Sequence, residues 1–386
     1  MEPNTIMYPM LPNSPADLVP LPTCEGPKLQ PFDFGGEEQE IEFIDRLDWR
    51  DALEEDCFTM VFVVKIRGEI YALKVFRFLD ENWLYQYVPE EVIPAAVQYD
   101  YFDFFNRECR AYGRLKEANR EDLAAKCHGY ILLTEKMEQR LLAFADLPAN
   151  SGNEEYYIEF WGRGEGPEYL ARKESANFLP VRAILKDLLP GSCGITIPEA
   201  PRIFRDIVEL QRLGILLADV AERQWVAGQL IDFDRSITTP HVLLTPKMFG
   251  YDLTPYLRSK MQCSPEELVM ALARRDFEEF DEMAERWSTS YEARREGREG
   301  EVTFRCLPDR RRLGRLRPNS VRLYTYVDPR EYDWKTHQSG KGRAVKTTRA
   351  CRGQRKRVPK ALIRVPQQVP KLDRNGSPVI WQLVKR

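Results

Sequence analysis

The chain has 386 residues, 43% of them hydrophobic, and a formal net charge of −3, which is enough apolar material for a full core. Its eight cysteines stand at no CxxC spacing and it has three histidines, so a disulfide or zinc framework and a Ser-His-Asp triad are poorly supplied. No run of about 20 apolar residues exists, and the start, MEPNTIMYPMLPNSP, lacks a basic region and an apolar stretch; a soluble intracellular protein with no membrane partner is expected.

The charge is uneven. Residues 341–386 hold 14 Lys/Arg and one acid, Asp373, a net of +13, which leaves −16 on the rest. An acidic body thus carries a basic tail, and such a tail suits phosphate backbones or an import receptor.

Residues 1–38 are proline-rich and unpatterned (YPMLPNSP, LVPLP, GPKLQPF), and a disordered tail is expected there. IEFIDRL predicts a first strand. FTMVFVVKI (58–66) and EIYALKVFRF (69–78) flank Arg67-Gly68 and predict a hairpin. Segment 79–101 interrupts as an insertion. Phe105, Cys109, Tyr112 and Leu115 then recur at helical spacing over 102–118. AKCHGYILLT (125–134) is strand-like, 146–178 reads as a glycine-containing surface insertion, and VRAILKDLL (181–189) is a strand that ends at Pro190-Gly191. IPEAPRIFRDIVELQRLGI (197–215) predicts an amphipathic helix. SPEELVMALARRDFEEFDEMAERW (264–287) predicts another, opened by a Ser264 to Glu267 capping box. Strands first and helices after predict an α+β protein: a β-rich body over 39–190, a helical one over 191–340, and a disordered basic tail over 341–386.

Three stretches carry chemistry. Lys74 lies in YALKVF, Glu108 in FNRECRAYGRL, and Asp219, Gln224 and Asp232 in GILLADVAERQWVAGQLIDFD. Taken singly each has a plain reading: a solvent-facing strand lysine, a helix-surface glutamate, a hairpin with two capping aspartates. In this order they resemble the phosphate-handling parts of a protein kinase. That resemblance makes Lys74 a phosphate anchor paired with Glu108, Asp219 the catalytic aspartate, and Asp232 with Gln224 the Mg²⁺ ligands. The cofactors it implies are ATP and Mg²⁺.

The set departs from the kinase pattern. Leu217-Ala218 replace His-Arg, Gln224 replaces Asn, and Asp234 replaces Gly. The region before the hairpin, 46–62, has no glycine and adds Asp48, Asp51, Glu54, Glu55 and Asp56, which repel phosphate. No A-P-E follows Asp232. The longer Gln224 side chain displaces a metal ligand, and Mg²⁺ demands tight geometry.

YALKVF, ECRAYGRLKE, CHGYILL, RAILKDLL, LGILLADVAERQWVAGQLIDFDRSITTPH and VDPREYDW (327–334) resemble a fungal family of kinetochore Sim4-complex subunits with a protein-kinase-like body. The pieces spread over residues 39–335, outside the head and the tail. The resemblance implies a two-lobed kinase-like fold, a pseudokinase acting as an interaction protein, protein partners at a kinetochore or chromatin complex, and a nuclear location. An active atypical kinase remains open, as does a nucleic-acid-binding module that contacts DNA through 341–386.

Overall fold

The computed structural model describes residue 9 and residues 11–36, 40–47, 59–78, 88–89, 91–145, 179–191, 193–195, 199–245, 247–248, 251–296 and 327–338. The acidic stretch from 48 to 58, most of 79–90, the insertion 146–178 and the basic tail 341–386 lie outside them. The protein is α+β and divides into two units. The first takes residues up to 116, 120–192 and 229–238; the second takes 117–119, 193–228 and the chain from 239 on.

The first unit is built on a five-stranded antiparallel sheet in the order β1-β2-β3-β5-β4: β1 (Glu42–Arg46), β2 (Thr59–Ile66), β3 (Glu69–Phe76), β4 (Cys127–Leu132) and β5 (Arg182–Asp187). β2 and β3 pair from Thr59↔Phe76 to Ile66↔Glu69, and Arg67 and Gly68 turn the chain at φ 51 and 86. Two consecutive positive φ values match the twist of the strands they join, and glycine adopts one at no steric cost. Helices α1 (Ala95–Phe102), α2 (Phe104–Glu117, but for its last residue) and α3 (Glu135–Phe144) belong to the same unit. α1 lies almost wholly within the segment 79–101 expected as an insertion, yet its Gln98, Tyr99 and Tyr101 are buried, so this part contributes to the core. On α2, Phe105, Cys109, Tyr112 and Leu115 are buried, the stripe that the spacing predicts.

The proline-rich head departs most from expectation. Residues 18–36 form a strap on the first unit, not a disordered tail. Leu21 and Leu29 exchange backbone hydrogen bonds at 3.0 and 2.7 Å. Lys28 Nζ closes the loop between them by donating to the carbonyls of Pro22, Thr23 and Cys24 at 2.8, 2.8 and 2.7 Å. Phe32 N–H donates to the Tyr130 carbonyl at 2.8 Å, so the strap covers the outer edge of β4. Leu21, Leu29, Phe32 and Phe34 are buried. Four such anchors offset the cost of ordering the segment, which a count of prolines does not reveal.

The second unit holds helices α4 (Ala200–Arg212), α5 (Thr254–Lys260) and α6 (Pro265–Glu296), with short two-residue strands between them such as Lys247–Met248, which pairs with Tyr251–Asp252. α4 buries Ile203, Ile207 and Leu210 on one stripe, and Phe204 meets Phe277 and Phe280 of α6 at ring distances of 5.3 and 5.5 Å. The capping box is present: Glu267 N–H donates to Ser264 Oγ at 3.2 Å and Ser264 N–H to Glu267 Oε2 at 2.7 Å. Among the described residues no helix is long and apolar enough to cross a membrane.

A methyl group at Gly113 of α2 would stand 2.6 Å from the Lys28 carbonyl oxygen. Gly113→Ala is therefore expected to destabilise the protein by about 1–3 kcal/mol, although the same change in an open helix gains about 1 kcal/mol. Thermal denaturation reads the sign, and limited proteolysis reads release of residues 18–36.

Candidate functional site

The register of the sheet places two lysines on one face. Lys74 of β3 stands opposite Ile184 of β5, and Lys186 of β5 opposite Ala72 of β3, so the lysines are diagonal neighbours. Both are buried, and two ammonium groups so placed repel. Glu108 of α2, fully buried, lies between them. Its Oε2 accepts from Lys74 Nζ at 2.8 Å and its Oε1 from Lys186 Nζ at 2.8 Å. Each oxygen thus satisfies a different cation.

The segment 231–234 completes the cluster from the same unit. Asp232 Oδ1 lies 2.6 Å from Lys74 Nζ and Asp234 Oδ2 lies 3.0 Å from it. Asp234 N–H donates to Asp232 Oδ1 at 2.9 Å, and Lys186 Nζ donates to the Ile231 carbonyl at 2.6 Å. Phe233 between the aspartates meets Tyr112 of α2 edge-on, 5.1 Å between ring centres. The Asp232 and Asp234 side chains keep 26% and 17% exposure against 3% for Lys74, so they form the solvent side of the cluster.

Two cations face three carboxylates, and this imbalance orders the titrations. Burial alone would lower the Lys74 pKa, but Asp232, Asp234 and Glu108 outweigh it and hold the ammonium well above its ordinary value. Burial would raise Asp232; Lys74, Lys186 and the Asp234 N–H overcome it and bring the carboxyl down to about 2. Burial and then the Asp232 charge push Asp234 up to about 6, with Lys74 opposing.

Asp219 and Gln224 belong to the second unit. Asp219 Oδ2 accepts from Arg223 Nη2 at 2.7 Å and from Gln224 Nε2 at 3.1 Å. The Gln224 oxygen accepts the Ala221 N–H at 3.2 Å, so its amide closes the turn at both ends. The backbone before Asp219 is held by α6. Asp276, buried, accepts the Leu217 N–H at 3.1 Å and the Ala218 N–H at 2.8 Å, and also Gln211 Nε2 at 3.1 Å. Glu279 accepts the Val220 N–H at 2.8 Å. Ala218 sits at φ 59, a conformation that costs an L-residue about 1–2 kcal/mol. Its Asp276 hydrogen bond is what fixes it there. Burial pushes the Asp276 carboxyl up to about 7, with the N–H donors opposing.

Of the residues expected at a site, Lys74, Glu108 and Asp232 meet in the first unit, and Asp219 and Gln224 meet in the second. Sequence reasoning left out Lys186, Asp276 and Glu279. The signal for Lys186 was a lysine inside the apolar strand RAILKD. Asp276 lies on α6 among Ala273, Phe277 and Phe280, all buried, where a charge needs partners. Among the described residues no group of three or more His, Cys, Asp or Glu side chains is arranged to hold a metal ion.

Residues 18–237 match the family model described as kinetochore Sim4 complex subunit FTA2. That is more than half of the chain, and the chain belongs to this family. The match begins at residue 18, the first of the strap, so the strap lies within it, and it ends at residue 237, short of the VDPREYDW piece at 327–334. No curated protein matches the chain. Membership implies a kinetochore-associated role, protein partners and a nuclear location.

Asp234 supplies the negative charge in excess, and Asp232, Lys74, Glu108 and Arg235 act on it. Its raised carboxyl favours the protonated fold, so that contribution to stability is full below the ordinary 3.8 and is lost as pH rises through about 6. Asp234→Asn keeps the neutral form at every pH. We expect it to raise unfolding free energy by about 1–3 kcal/mol at a pH of about 7.5 and to change nothing at a pH of about 3.5, read by denaturant melts.

Proposed function

We propose that this kinetochore subunit has a protein-kinase-like body that serves as an interaction protein, with phosphotransfer absent or very slow. In this reading residues 39–190, together with the strap and 229–238, are the small lobe, and the rest of 191–340 is the helical lobe. The observation that carries it is Lys74 on the third strand of an antiparallel sheet, bound to Glu108 of α2 at 2.8 Å and to Asp232 of L-I-D-F-D at 2.6 Å. A kinase uses such a lysine, helical glutamate and aspartate to hold nucleotide phosphates and metal.

ATP and Mg²⁺ do not fit the side chains as they stand. An ammonium has three donors, and those of Lys74 are directed at three carboxylates. The Gln224 oxygen, the metal ligand expected from sequence, is engaged by a backbone N–H. Asp219, the expected catalytic residue, is paired with Arg223. The same residues make good structural clamps: Lys74 ties β3 to α2 and to the 231–234 segment, and Gln224 ties its turn.

Purified protein is expected to transfer no phosphate from ATP with Mg²⁺ beyond the level of Asp219→Ala. In cells, Asp219→Ala is expected to localise to kinetochores and support chromosome segregation as the wild type does. Robust turnover abolished by Asp219→Ala or Asp232→Ala would overturn the reading in favour of an active kinase.

The net of +13 on residues 341–386 favours a second, additional reading, electrostatic contact with DNA. Binding to duplex DNA is expected to tolerate changes of sequence. The logarithm of affinity should fall with that of salt by about 0.9 for each phosphate neutralised. Deletion of 341–386 should abolish this binding; unchanged affinity after deletion would remove the tail from the account.

A further inference from the structure

The third donor of Lys74 goes to a side chain that charge balance does not require. Glu108 and Asp232 already match Lys74 and Lys186 one for one. Asp234 brings a further negative charge to within 3.0 Å of Lys74 Nζ. Glu108 and Asp232 are each fixed by a second bond as well, Glu108 by Lys186 at 2.8 Å and Asp232 by the Asp234 N–H at 2.9 Å. The Asp234 carboxylate instead lies on the solvent side, directed inward at a buried cation. Geometrically it is an anionic oxygen lodged on a lysine ammonium, the contact that a phosphate oxygen makes.

We propose that the Asp234 carboxylate is an internal stand-in for a phosphate group, and that Lys74 becomes an anion site for a phosphate oxygen once that side chain is removed. This rests on the kinase-like reading, in which the position of Asp234 belongs to a glycine with no side chain to offer. The wild-type cluster is closed to phosphate for two reasons. No Lys74 donor is left, and an incoming polyanion meets a cluster that already carries an excess negative charge. Asp234→Ala relieves both. It opens the third donor and leaves Lys74 and Lys186 against Glu108 and Asp232, with the Arg235 charge near by. Asp234→Asn relieves the charge alone and keeps an oxygen at the lysine.

The test is calorimetric titration of full-length wild type, Asp234→Ala and Asp234→Asn with pyrophosphate, with ATP and with adenosine, each with and without Mg²⁺. Thermal melting of each variant establishes that it folds, and Asp234→Asn, which keeps the shape, stands in if Asp234→Ala does not. Asp122→Ala removes an exposed carboxylate from the same unit and controls for net charge. The expected result is pyrophosphate binding at least about tenfold tighter in Asp234→Ala than in wild type, with Asp234→Asn between them and Asp122→Ala unchanged. Equal affinity in wild type and Asp234→Ala, whether both bind or neither does, overturns the proposal. So does an equal gain in Asp122→Ala. A gain for pyrophosphate without one for ATP upholds the internal anion and counts against the kinase-like reading. A gain for both, with ATP the tighter, upholds the two together.

Discussion

Glu108 is held without exposure between two ammonium groups, and the first unit is arranged so that it stays there. Burying one charge alone is prohibitive, and removing one partner of a buried pair costs about 3–5 kcal/mol. The arrangement therefore constrains everything that positions these three residues. The β3–β5 register must put Lys74 and Lys186 on the same face, because a slip of one residue would turn a lysine into the other layer. α2 must present Glu108 to that face at a fixed height. The strap serves this second requirement. It lies on α2 at Gly113, where backbone approaches too closely for any side chain, and Arg110 of α2 donates to the Glu25 carbonyl of the strap at 2.8 Å. The helix is gripped by the sheet on one side and by the N-terminal chain on another.

In the second unit a carboxylate takes the opposite role. Asp276 collects the N–H groups of Leu217, Ala218 and Gln211. The backbone of a loop is thus satisfied by a helix side chain, which permits a left-handed Ala218 that the chain alone would avoid. Glu279, one turn further along α6, repeats the device at Val220. The loop that carries Asp219 is rigid because α6 supplies its hydrogen bonds, and its own side chains add a local knot of Asp219, Arg223 and Gln224.

What the sequence made legible was local. The hairpin turn, the α2 stripe and the Ser264 capping box each follow from neighbours within a few residues. Lys74, Glu108 and Asp232 were legible through their motif contexts and their order. Lys186 and Asp276 were not, because what makes them informative is burial, and burial is settled by pairings such as Ala72↔Lys186 that lie far apart in the chain. The strap was misread for a related reason. Prolines in LVPLP and GPKLQPF suggest a tail, while the deciding residues are Leu21, Leu29, Phe32 and Phe34, whose spacing follows the surface they cover and neither a helical nor a strand period.

Two departures from local rules stand out because a buried partner specifies each of them. Ala218 holds a conformation that glycine would take at no cost, and Asp234 adds a third carboxylate where two would balance. A sequence optimised for stability alone would remove both, since substitutions that do so are single-residue changes. Local rules are broken where something other than stability is at stake. Both exceptions fall in the stretch between Gly214 and Asp234, the same stretch in which the sequence resembles a kinase motif and departs from it. Ala218 is fixed by a buried carboxylate from α6, and Asp234 is fixed on a buried lysine from β3. In each case the irregular residue is specified by the scaffold around it, so the departures from the motif are as firmly built into the fold as the matches.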